Sequence, residues 1–564
     1  MNSAAALAPK PTGKITPRLA ATLLVVRDGA EGLEVLMLRR VERTGDIASG
    51  AYVFPGGLVD AGDRQSHDLC VGMDDALASA ALGLEANGLD FYIAAIRECF
   101  EEAGLLLAHH ADGSMLTLDE SGTAEWSELR GAVRHGTTTL RQVCGRMGLQ
   151  LAPDRLTYHS YWLTPPGLPK RYDTRFFVAA APQGQNIALD SDETLEHAWI
   201  RPIDALDPAR GMKLLQATVR TLESLARFGT AADCIADAAR QRVIERQMPR
   251  RAIGSKGMRF LLADDHAYAE VGYIDPDGLV NASYEIEPGK AVRLSERVLR
   301  LTAPNPGPMT GPGTNTYLVG GGVANEWAVI DPGPDHEGHV QAIMAAAPGP
   351  IRWILVTHTH RDHSPAASSL KKLTGARLGG IAALHPEWHD TNFTPDHVLT
   401  HGERVALGDA TSLRVIHTPG HASNHVCYLL EEEKTLFTGD HIMQGSTVVI
   451  SPPDGDMTAY LASLEMLLDE PLDWLAPGHG FLVPRPHDAV RKLVRHRLHR
   501  EAKVKSALGE WGPIDIDGLV AKVYDDVPPQ LHPVARRSLL AHLLKLQAEG
   551  QAVESKGLWG RSEA

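Results

Sequence analysis

Four short apolar runs in the second half of the chain each end in histidine or aspartate, and this repetition constrains the fold more than any other feature. Trp353 to Val356 leads into Thr-His358-Thr-His360-Arg-Asp362-His363. Leu413 to Thr418 leads into Pro-Gly-His421, Thr435 to Thr438 into Gly-Asp440, and Trp474 to Ala476 into Pro-Gly-His479. Runs of this length read as buried strands. His358 and His360 are two apart, so in extended chain they point to one side. Asp362 and His363 follow where the chain turns, and can face the same space from another angle. Four strands delivering nitrogen and oxygen ligands at one end suit two borderline-hard divalent ions, each with three or more protein ligands and room for water. Asp440 can bridge the two with its two oxygens. Clustered histidines repel when protonated and are costly to dehydrate, so a plain core would not gather them.

Composition supports this focus. The chain has 564 residues, a length that suggests three or four domains, and 26 of them are histidine. Its hydrophobic and charged fractions, 43% and 22%, are ordinary for a globular protein. Collagen-like, wholly disordered and disulfide-scaffold readings are excluded. The net charge of −15 also excludes a generally cationic nucleic-acid coat. The five cysteines, Cys70, Cys99, Cys144, Cys234 and Cys427, are scattered and contain no CxxC, which argues against a cysteine zinc site and fits a reducing compartment. No leader, retention signal or membrane span is expected, so the expectation is a soluble cytoplasmic protein.

The histidine pattern resembles the metallo-β-lactamase fold superfamily, whose HxHxDH signature reads His358-Thr-His360-Arg-Asp362-His363 here. The segment from Asn305 to Val319, the run Phe437-Thr-Gly-Asp-His-Ile442, and Pro452-Pro-Asp-Gly-Asp-Met457 are similar to the beta-lactamase-like protein 2 group. The resemblance covers about residues 291 to 550. It implies a hydrolase with two Zn²⁺ (or Mn or Fe) ions. His358, His360 and His421 would hold one ion and Asp362, His363 and His479 the other, with Asp440 bridging. Characterised relatives include a single-strand-preferring endoribonuclease. Such a metal pair activates water and clamps the scissile oxygen, so no serine or cysteine nucleophile is needed, and Asp362 is the residue placed to orient the water. The same machinery cleaves thioesters, phosphodiesters and amides. Choice of substrate then falls to the cleft walls, where Asn315, Tyr317, His441, Ser446 and Thr447 are candidates.

From Arg485 to Lys505 eight basic residues stand against two acidic ones, a local net of +6. Val490, Leu493, Val494, Leu498 and Ala502 recur at helical spacing, which predicts an amphipathic basic helix. Two more helical patterns, about 514–524 and 534–549, and a hairpin-like stretch from Gln551 to Gly560 suggest the winged helix of the same family. Arg491 and Arg495 would face phosphates; the alternative is a solvated helix face.

The first half carries a carboxylate cluster. Two apolar runs, Leu19 to Val26 and Leu33 to Leu38, read as strands around a turn, with a further strand from Thr174 to Ala181 and helical patterning over roughly 203 to 248. A helical stretch from about Phe91 to His109 contains Arg97-Glu98-Cys-Phe-Glu101-Glu102-Ala-Gly104. Glu98, Glu101 and Glu102 fall on one helix face, where like charges repel. A divalent cation removes that conflict and suits oxygen ligands. Gly57 allows tight packing of the preceding loop, and Gly104 can end the helix.

This text resembles the Nudix box. Gly57 precedes Asp63 at the expected spacing, but Asp63 replaces the usual glutamate. Thirty-three residues then separate Asp63 from Arg97, against the usual seven, an insertion of 26. Phe54-Pro-Gly-Gly57 and Arg171-Tyr-Asp-Thr-Arg-Phe-Phe177 are similar to a subgroup related to the peroxisomal coenzyme A diphosphatases. The resemblance covers about residues 15 to 230. It implies Mg²⁺ or Mn²⁺ held by Glu98, Glu101 and Glu102, a glutamate oriented by Arg97, and a phosphoanhydride substrate. Glu98, Glu101, or a later glutamate such as Glu193 or Glu196, would serve the chemistry.

The expected fold is thus multidomain α/β: a Nudix α/β/α sandwich, a metallo-β-lactamase αββα sandwich and a small winged helix. The expected bounds are a mobile 1–14, Nudix 15–248, a bridging segment 249–290, the metal domain 291–485, the winged helix 486–555 and a tail 556–564. Three functional readings follow. In the first, single-stranded RNA is cleaved at the metals while the Nudix site trims a phosphoanhydride. In the second, the pair of sites degrades an acyl-CoA. In the third, the Nudix half senses a nucleotide without cleaving it. No membrane partner is expected.

Overall fold

The computed structural model describes residues 15–42, 49–117, 123–187, 194–240, 243–385, 387, 389–409 and 411–562. Residues 1–14 and Glu193 lie outside these. The chain divides into two compact units, 1–249 and 250–564. Among the described residues no helix is long and apolar enough to cross a membrane, and all five cysteines are free.

In the first unit the two leading apolar runs become the strands Arg18–Gly29 and Gly32–Arg40, antiparallel with Val26 opposite Val35. The turn between them is only two residues, shorter than the polar break in the sequence. Tyr172–Ala180 lies parallel to the first strand, with Ala21 opposite Arg175, and both join an eight-stranded sheet. The acidic helix spans Leu89–Ala103 and stops well short of His109. Gly104, at φ 77°, ends it in the left-handed region that glycine adopts without strain, and Ala108–His110 returns as a strand. Tyr92, Ile96 and Phe100 pack from this helix onto Leu23, Val25 and Phe177 of the sheet. Each such buried side chain contributes roughly 2–3 kcal/mol. The helix thereby turns Arg97, Glu98, Glu101 and Glu102 outward. The 26-residue insertion is part of the same core: its helix Asp75–Leu82, capped by Asp74, buries Ala78 and Leu82. The stretch read as helical from 203 to 248 contains the helices Gln216–Leu225 and Ala231–Ala238, then the short strand Arg246–Gln247.

The second unit begins earlier than the sequence suggests. The bridging segment forms a hairpin, Arg250–Gly254 with Gly257–Leu261, and a helix, Tyr268–Ile274. Ala252, Leu261 and Val271 make a small core with Phe481. Two larger sheets then stack face to face. The first, of seven strands, includes Asn315–Gly321, Glu326–Ile330 and Ile351–Leu355; the second, of six, includes Thr411–His417, Val426–Leu430, Thr435–Gly439 and Trp474–Pro477. Tyr317, Ile330 and Leu355 meet Val415, Tyr428 and Phe437 between them. Helices Glu337–Ala346 and Ala366–Thr374 cover the first sheet. Met457–Met466 and the start of Pro486–Trp511 cover the second. The chain ends with helices Ile516–Val523 and His532–Ala548 and a three-stranded sheet of Ile514–Asp515, Ala552–Ser555 and Leu558–Arg561. This last sheet runs through Arg561, so the stretch read as a tail from 556 includes its final strand.

Candidate metal centre and carboxylate site

Each histidine-bearing run is a strand, and the polar residues sit just past its C-terminal end. His358, His360, Asp362 and His363 follow Ile351–Leu355; His421 follows Thr411–His417; Asp440 follows Thr435–Gly439; His479 follows Trp474–Pro477. The seven side chains form two groups. In one, His358 Nε2 lies 2.8 Å from His360 Nδ1, and His421 Nε2 lies 3.1 Å from the same atom. Three ring nitrogens converging this closely cannot all carry protons. Burial, with the neighbouring histidines, pushes His360 down to about 3 and His358 well below its usual range. In the other group, Asp362, His363, Asp440 and His479 offer atoms within 4.8 Å of one another. Asp440 Oδ1 lies 3.4 Å from His363 Nε2 and 3.2 Å from His479 Nε2, while its Oδ2 lies 3.8 Å from His421 Nε2. Asp440 thus stands between the groups with one oxygen toward each. Burial works against charge at His479, yet Asp440 and Asp362 hold it up at about 10.

The residues fit a metal pair on an observation of their own. His363 Nε2, His479 Nε2 and Asp440 Oδ1 are buried without hydrogen-bond partners. The two ring nitrogens lie 3.4 and 3.2 Å from Asp440 Oδ1 without meeting it in hydrogen-bond geometry, and a divalent cation would take all three as ligands. Asp362, with its side chain 28% exposed, is more open than Asp440 or His479.

Sequence reasoning missed the group that orients His363. Asp331 Oδ2 lies 2.9 Å from His363 Nδ1 and accepts from Thr357 Oγ1 at 2.8 Å, while Oδ1 accepts from Thr357 N at 2.7 Å. Its signal was present: the apolar run Trp327 to Ile330 ends in Asp331-Pro-Gly, the same run-and-turn pattern. Asp454, discussed below, lies in the Pro452–Met457 segment singled out above, whereas its partner His389 had no such signal.

Three residues expected on the cleft wall have other tasks. Asn315 is buried, and its Nδ2 donates to Pro477 O at 3.0 Å and Gly480 O at 2.8 Å. Tyr317 Oη donates to Pro477 O at 2.8 Å. Both therefore clamp the loop that carries His479 and do not line a cleft. His441 is fully buried, 5.0 Å from the Tyr460 ring and 5.7 Å from His425, because the chain folds back after Asp440 with His441 N bonded to Thr438 O. Ser446 and Thr447 are exposed.

The basic helix is also different from its composition. Arg497 and Arg500 are buried, whereas Leu498 and Ala502 are exposed. Arg500 pairs with Asp526 at 2.7 and 3.0 Å; Arg491 pairs with Asp488, Lys503 with Asp525 and Lys505 with Glu501. Arg497 Nη2 donates to Val448 O, and Ser538 Oγ accepts from Ile450 N at 3.2 Å. Between these two anchors, Val449 O meets His421 Nδ1 at 2.8 Å. Two of the eight basic residues, Arg497 and Arg500, are thus spent inside the unit, and Arg497 anchors the segment whose Val449 O meets His421. Arg485, Arg491, Lys492, Arg495 and Lys505 remain exposed.

In the first unit Arg97 is the hub. It donates to Asp63 Oδ1 at 2.8 Å and Oδ2 at 3.2 Å, to Glu98 Oε1 at 2.8 Å, to Glu101 Oε1 at 3.2 Å and to Leu58 O at 2.6 Å. Asp63, although one methylene shorter than glutamate, reaches it because a capping box with Asp60 holds the turn Ala61–Arg64 in place. Burial, only partly offset by Arg97 and reinforced by Glu101, pushes the Glu98 carboxyl up to about 7; burial also raises Glu101. Glu102 Oε2 instead accepts from Gly56 N at 3.0 Å. The three carboxylates share a helix face: Glu98 and Glu101 turn to Arg97, which they share with Asp63, and Glu102 turns to the adjoining Gly56. Glu196 lies on the strand Thr194–Ile200 and not on a loop, and Tyr52 and Arg39 hold it.

Comparison with known proteins agrees with this geometry. Residues 309–479 match the metallo-beta-lactamase superfamily, 516–559 the beta-lactamase associated winged helix domain and 84–218 the NUDT19 Nudix domain. The Beta-lactamase-like protein 2 homolog of Drosophila melanogaster is 31% identical over 281 residues, 47% of this chain and 92% of that protein. The chain belongs to the metallo-beta-lactamase superfamily. It is a hydrolase of that superfamily with a Nudix domain before the metal fold and a winged helix after it. Another superfamily relative, the atrochrysone carboxyl ACP thioesterase of Aspergillus chevalieri, is 32% identical over 269 residues, 46% of this chain and 83% of that protein. A NUDIX hydrolase structure from Alicyclobacillus acidocaldarius is 26% identical, with 39% of this chain and 96% of that one covered and a TM-score of 0.32.

Proposed function

We propose that the second unit hydrolyses an acyl thioester on a phosphopantetheine-type carrier such as coenzyme A, and that the Nudix domain cleaves the phosphoanhydride of the same kind of molecule. The observation that carries the first half is the pair of ligand groups joined by Asp440. His358, His360 and His421 would hold one zinc ion and Asp362, His363 and His479 the other, with Asp440 standing between the two groups. When bound, such a pair supplies Lewis acidity and lowers the pKa of water toward neutrality. The protein's own part is geometric. Asp331 fixes the His363 ring, Val449 O fixes His421, and Asn315 with Tyr317 fixes the His479 loop. Asp362, the more open carboxylate, orients water toward the acyl carbon.

One observation favours a thioester over a nucleic acid: a relative covered over most of its length is named a thioesterase. At the Nudix site, Arg97 sets Glu98 and Glu101 beside the Gly56-Gly57 turn; these carboxylates with Glu102 would hold Mg²⁺ or Mn²⁺, and Glu98 would take a proton from water. The RNA reading survives as a second one on a single observation: the winged helix beside exposed Lys492 and Arg495.

The test is one set of assays with the zinc-loaded full chain, offered an acyl-CoA and a single-stranded RNA at equal concentration. Release of free thiol with RNA intact is the expected result. RNA cleavage with the thioester intact would overturn the proposal in favour of the second reading.

A further inference from the structure

Thr359 sits between His358 and His360, and its side chain is held from two sides. Asn424 Nδ2 donates to Thr359 Oγ1 at 2.9 Å, and His389 Nδ1 lies 2.8 Å from the same oxygen. His389 Nε2 meets Asp454 Oδ2 at 2.9 Å. These contacts have one consistent proton order. Asn424 donates to the hydroxyl, the hydroxyl donates to His389 Nδ1, and His389 Nε2–H donates to Asp454. Both His389 and Asp454 are buried. The His389 ring lies 4.7 Å from the His360 ring at 33°, and the two residues also pair through their backbones.

Asp454 belongs to Pro452-Pro-Asp-Gly-Asp-Met457, the segment whose task the site geometry above leaves open. Its Oδ1 accepts from Ser423 Oγ at 2.5 Å and its Oδ2 from Ser423 N at 3.2 Å. Two residues later Asp456 N donates to Gly420 O at 2.8 Å, and Asp456 Oδ1 caps the helix Met457–Met466 through Ala459 N at 2.7 Å. The segment is therefore tied to the turn that carries His421 and, through His389, to the strand end that carries His360. Asp331 supports His363 directly and also reaches His358 through Thr357 Oγ1, which lies 2.8 Å from Asp331 Oδ2 and 3.0 Å from His358 Nδ1.

We propose that His389 and Asp454 are positioning residues that set the three-histidine half of the centre through His360 and the turn that carries His421. The proposal rests on the metal-pair reading above. His389 stacks on His360 and fixes Thr359, so His360 Nδ1 stays aimed at His358 Nε2 and His421 Nε2. Asp454 fixes the His389 tautomer and ring.

The test counts zinc bound by the full chain, by equilibrium dialysis with elemental analysis, and records the absorption spectrum of the Co²⁺-loaded protein. The chains compared are the wild type, His389→Ala, the near-isosteric Asp454→Asn, and Asp331→Asn. The wild type is expected to bind two zinc ions. His389→Ala and Asp454→Asn are expected to keep one and to bind the second about 10- to 100-fold more weakly, the usual effect of losing an outer partner. Asp331→Asn, which bears on His363 directly and on His358 through Thr357, is expected to weaken both ions, so its Co²⁺ spectrum differs from that of Asp454→Asn. If His389→Ala does not fold, Asp454→Asn decides alone. In His389→Ala or Asp454→Asn, two ions held as tightly as in the wild type overturn the proposal, as does loss of both ions together. A third wild-type zinc that vanishes in Asp454→Asn also overturns it, since His360, His389 and Asp454 would then be ligands of their own site. A wild type that binds no zinc fails at the earlier step and overturns the metal-pair reading itself.

Discussion

Gly57 lacks a side chain because Glu98 occupies the space: a Cβ there would stand 2.3 Å from Glu98 Cδ and 2.4 Å from its Oε1. The backbone conformation is ordinary, so an alanine would add no strain beyond this clash. Gly57→Ala should therefore displace the Glu98 carboxylate and lower phosphoanhydride cleavage at least about tenfold, a rise of ~1.4 kcal/mol in the barrier. The melting temperature should move little, and paired activity and unfolding measurements check both. At this scale the sequence was informative where chemistry repeats. Five histidines and two aspartates after four apolar runs could be read as one centre, and Arg97 with its glutamates as another. Single supporting residues were not legible. His389 and Asp454 lie 65 positions apart and gain meaning only from being folded together. Asn315, Tyr317 and His441 sit in suggestive text, yet their side chains point into packed structure.

Among the elements, the helix Pro486–Trp511 differs most from its composition. Counting charge gave a basic face, but pairing is a tertiary property. Arg497 and Arg500 turn inward because the first half of the helix must cover a sheet and the second half must join the winged-helix core, so one straight apolar stripe cannot serve both. Glu501 marks that join. Its side chain is buried and pairs with Lys545 at 3.0 Å and Lys505 at 3.2 Å. Burial pushes its carboxyl up, but His542, Lys545 and Lys505 more than reverse this and leave it at about 2. An unfolded glutamate titrates near 4.3. The folded form therefore binds its proton less readily, and the charged glutamate stabilises the fold above the unfolded value. That contribution should disappear as the pH falls from about 4.5 toward 2. Glu501→Gln should lower unfolding stability at neutral pH, and the difference from wild type should shrink over that window in denaturant titrations.

In the molecule as a whole, two readings of organisation changed. The stretch 249–290 resembles a linker because it is polar and rich in glycine and proline, but it is built into the second unit. Arg300 Nη1 and Nη2 donate to Glu270 Oε2 and Oε1 at 2.6 and 2.9 Å, and Glu270 also accepts from Leu482 N at 2.8 Å, three residues beyond His479. Both side chains are almost fully buried. Removing one member of such a pair leaves the other uncompensated, typically at about 3–5 kcal/mol. Glu270→Gln should accordingly destabilise the second unit by about that much in chemical unfolding. The insertion between Asp63 and Arg97 is similar in kind: an interruption in the motif that proves to be core. Motif spacing reports where ligands fall along the chain, whereas these segments act through packing that spacing does not encode.

The account as a whole holds that one chain carries two separate hydrolytic centres. Its most direct test follows thioester hydrolysis of an acyl-CoA and phosphoanhydride cleavage of coenzyme A side by side, in wild type, Asp440→Ala and Glu102→Gln. The wild type should perform both reactions. Asp440→Ala should lose the first and keep the second, and Glu102→Gln should do the reverse. Loss of both reactions in either variant, or survival of both in each, would contradict the account.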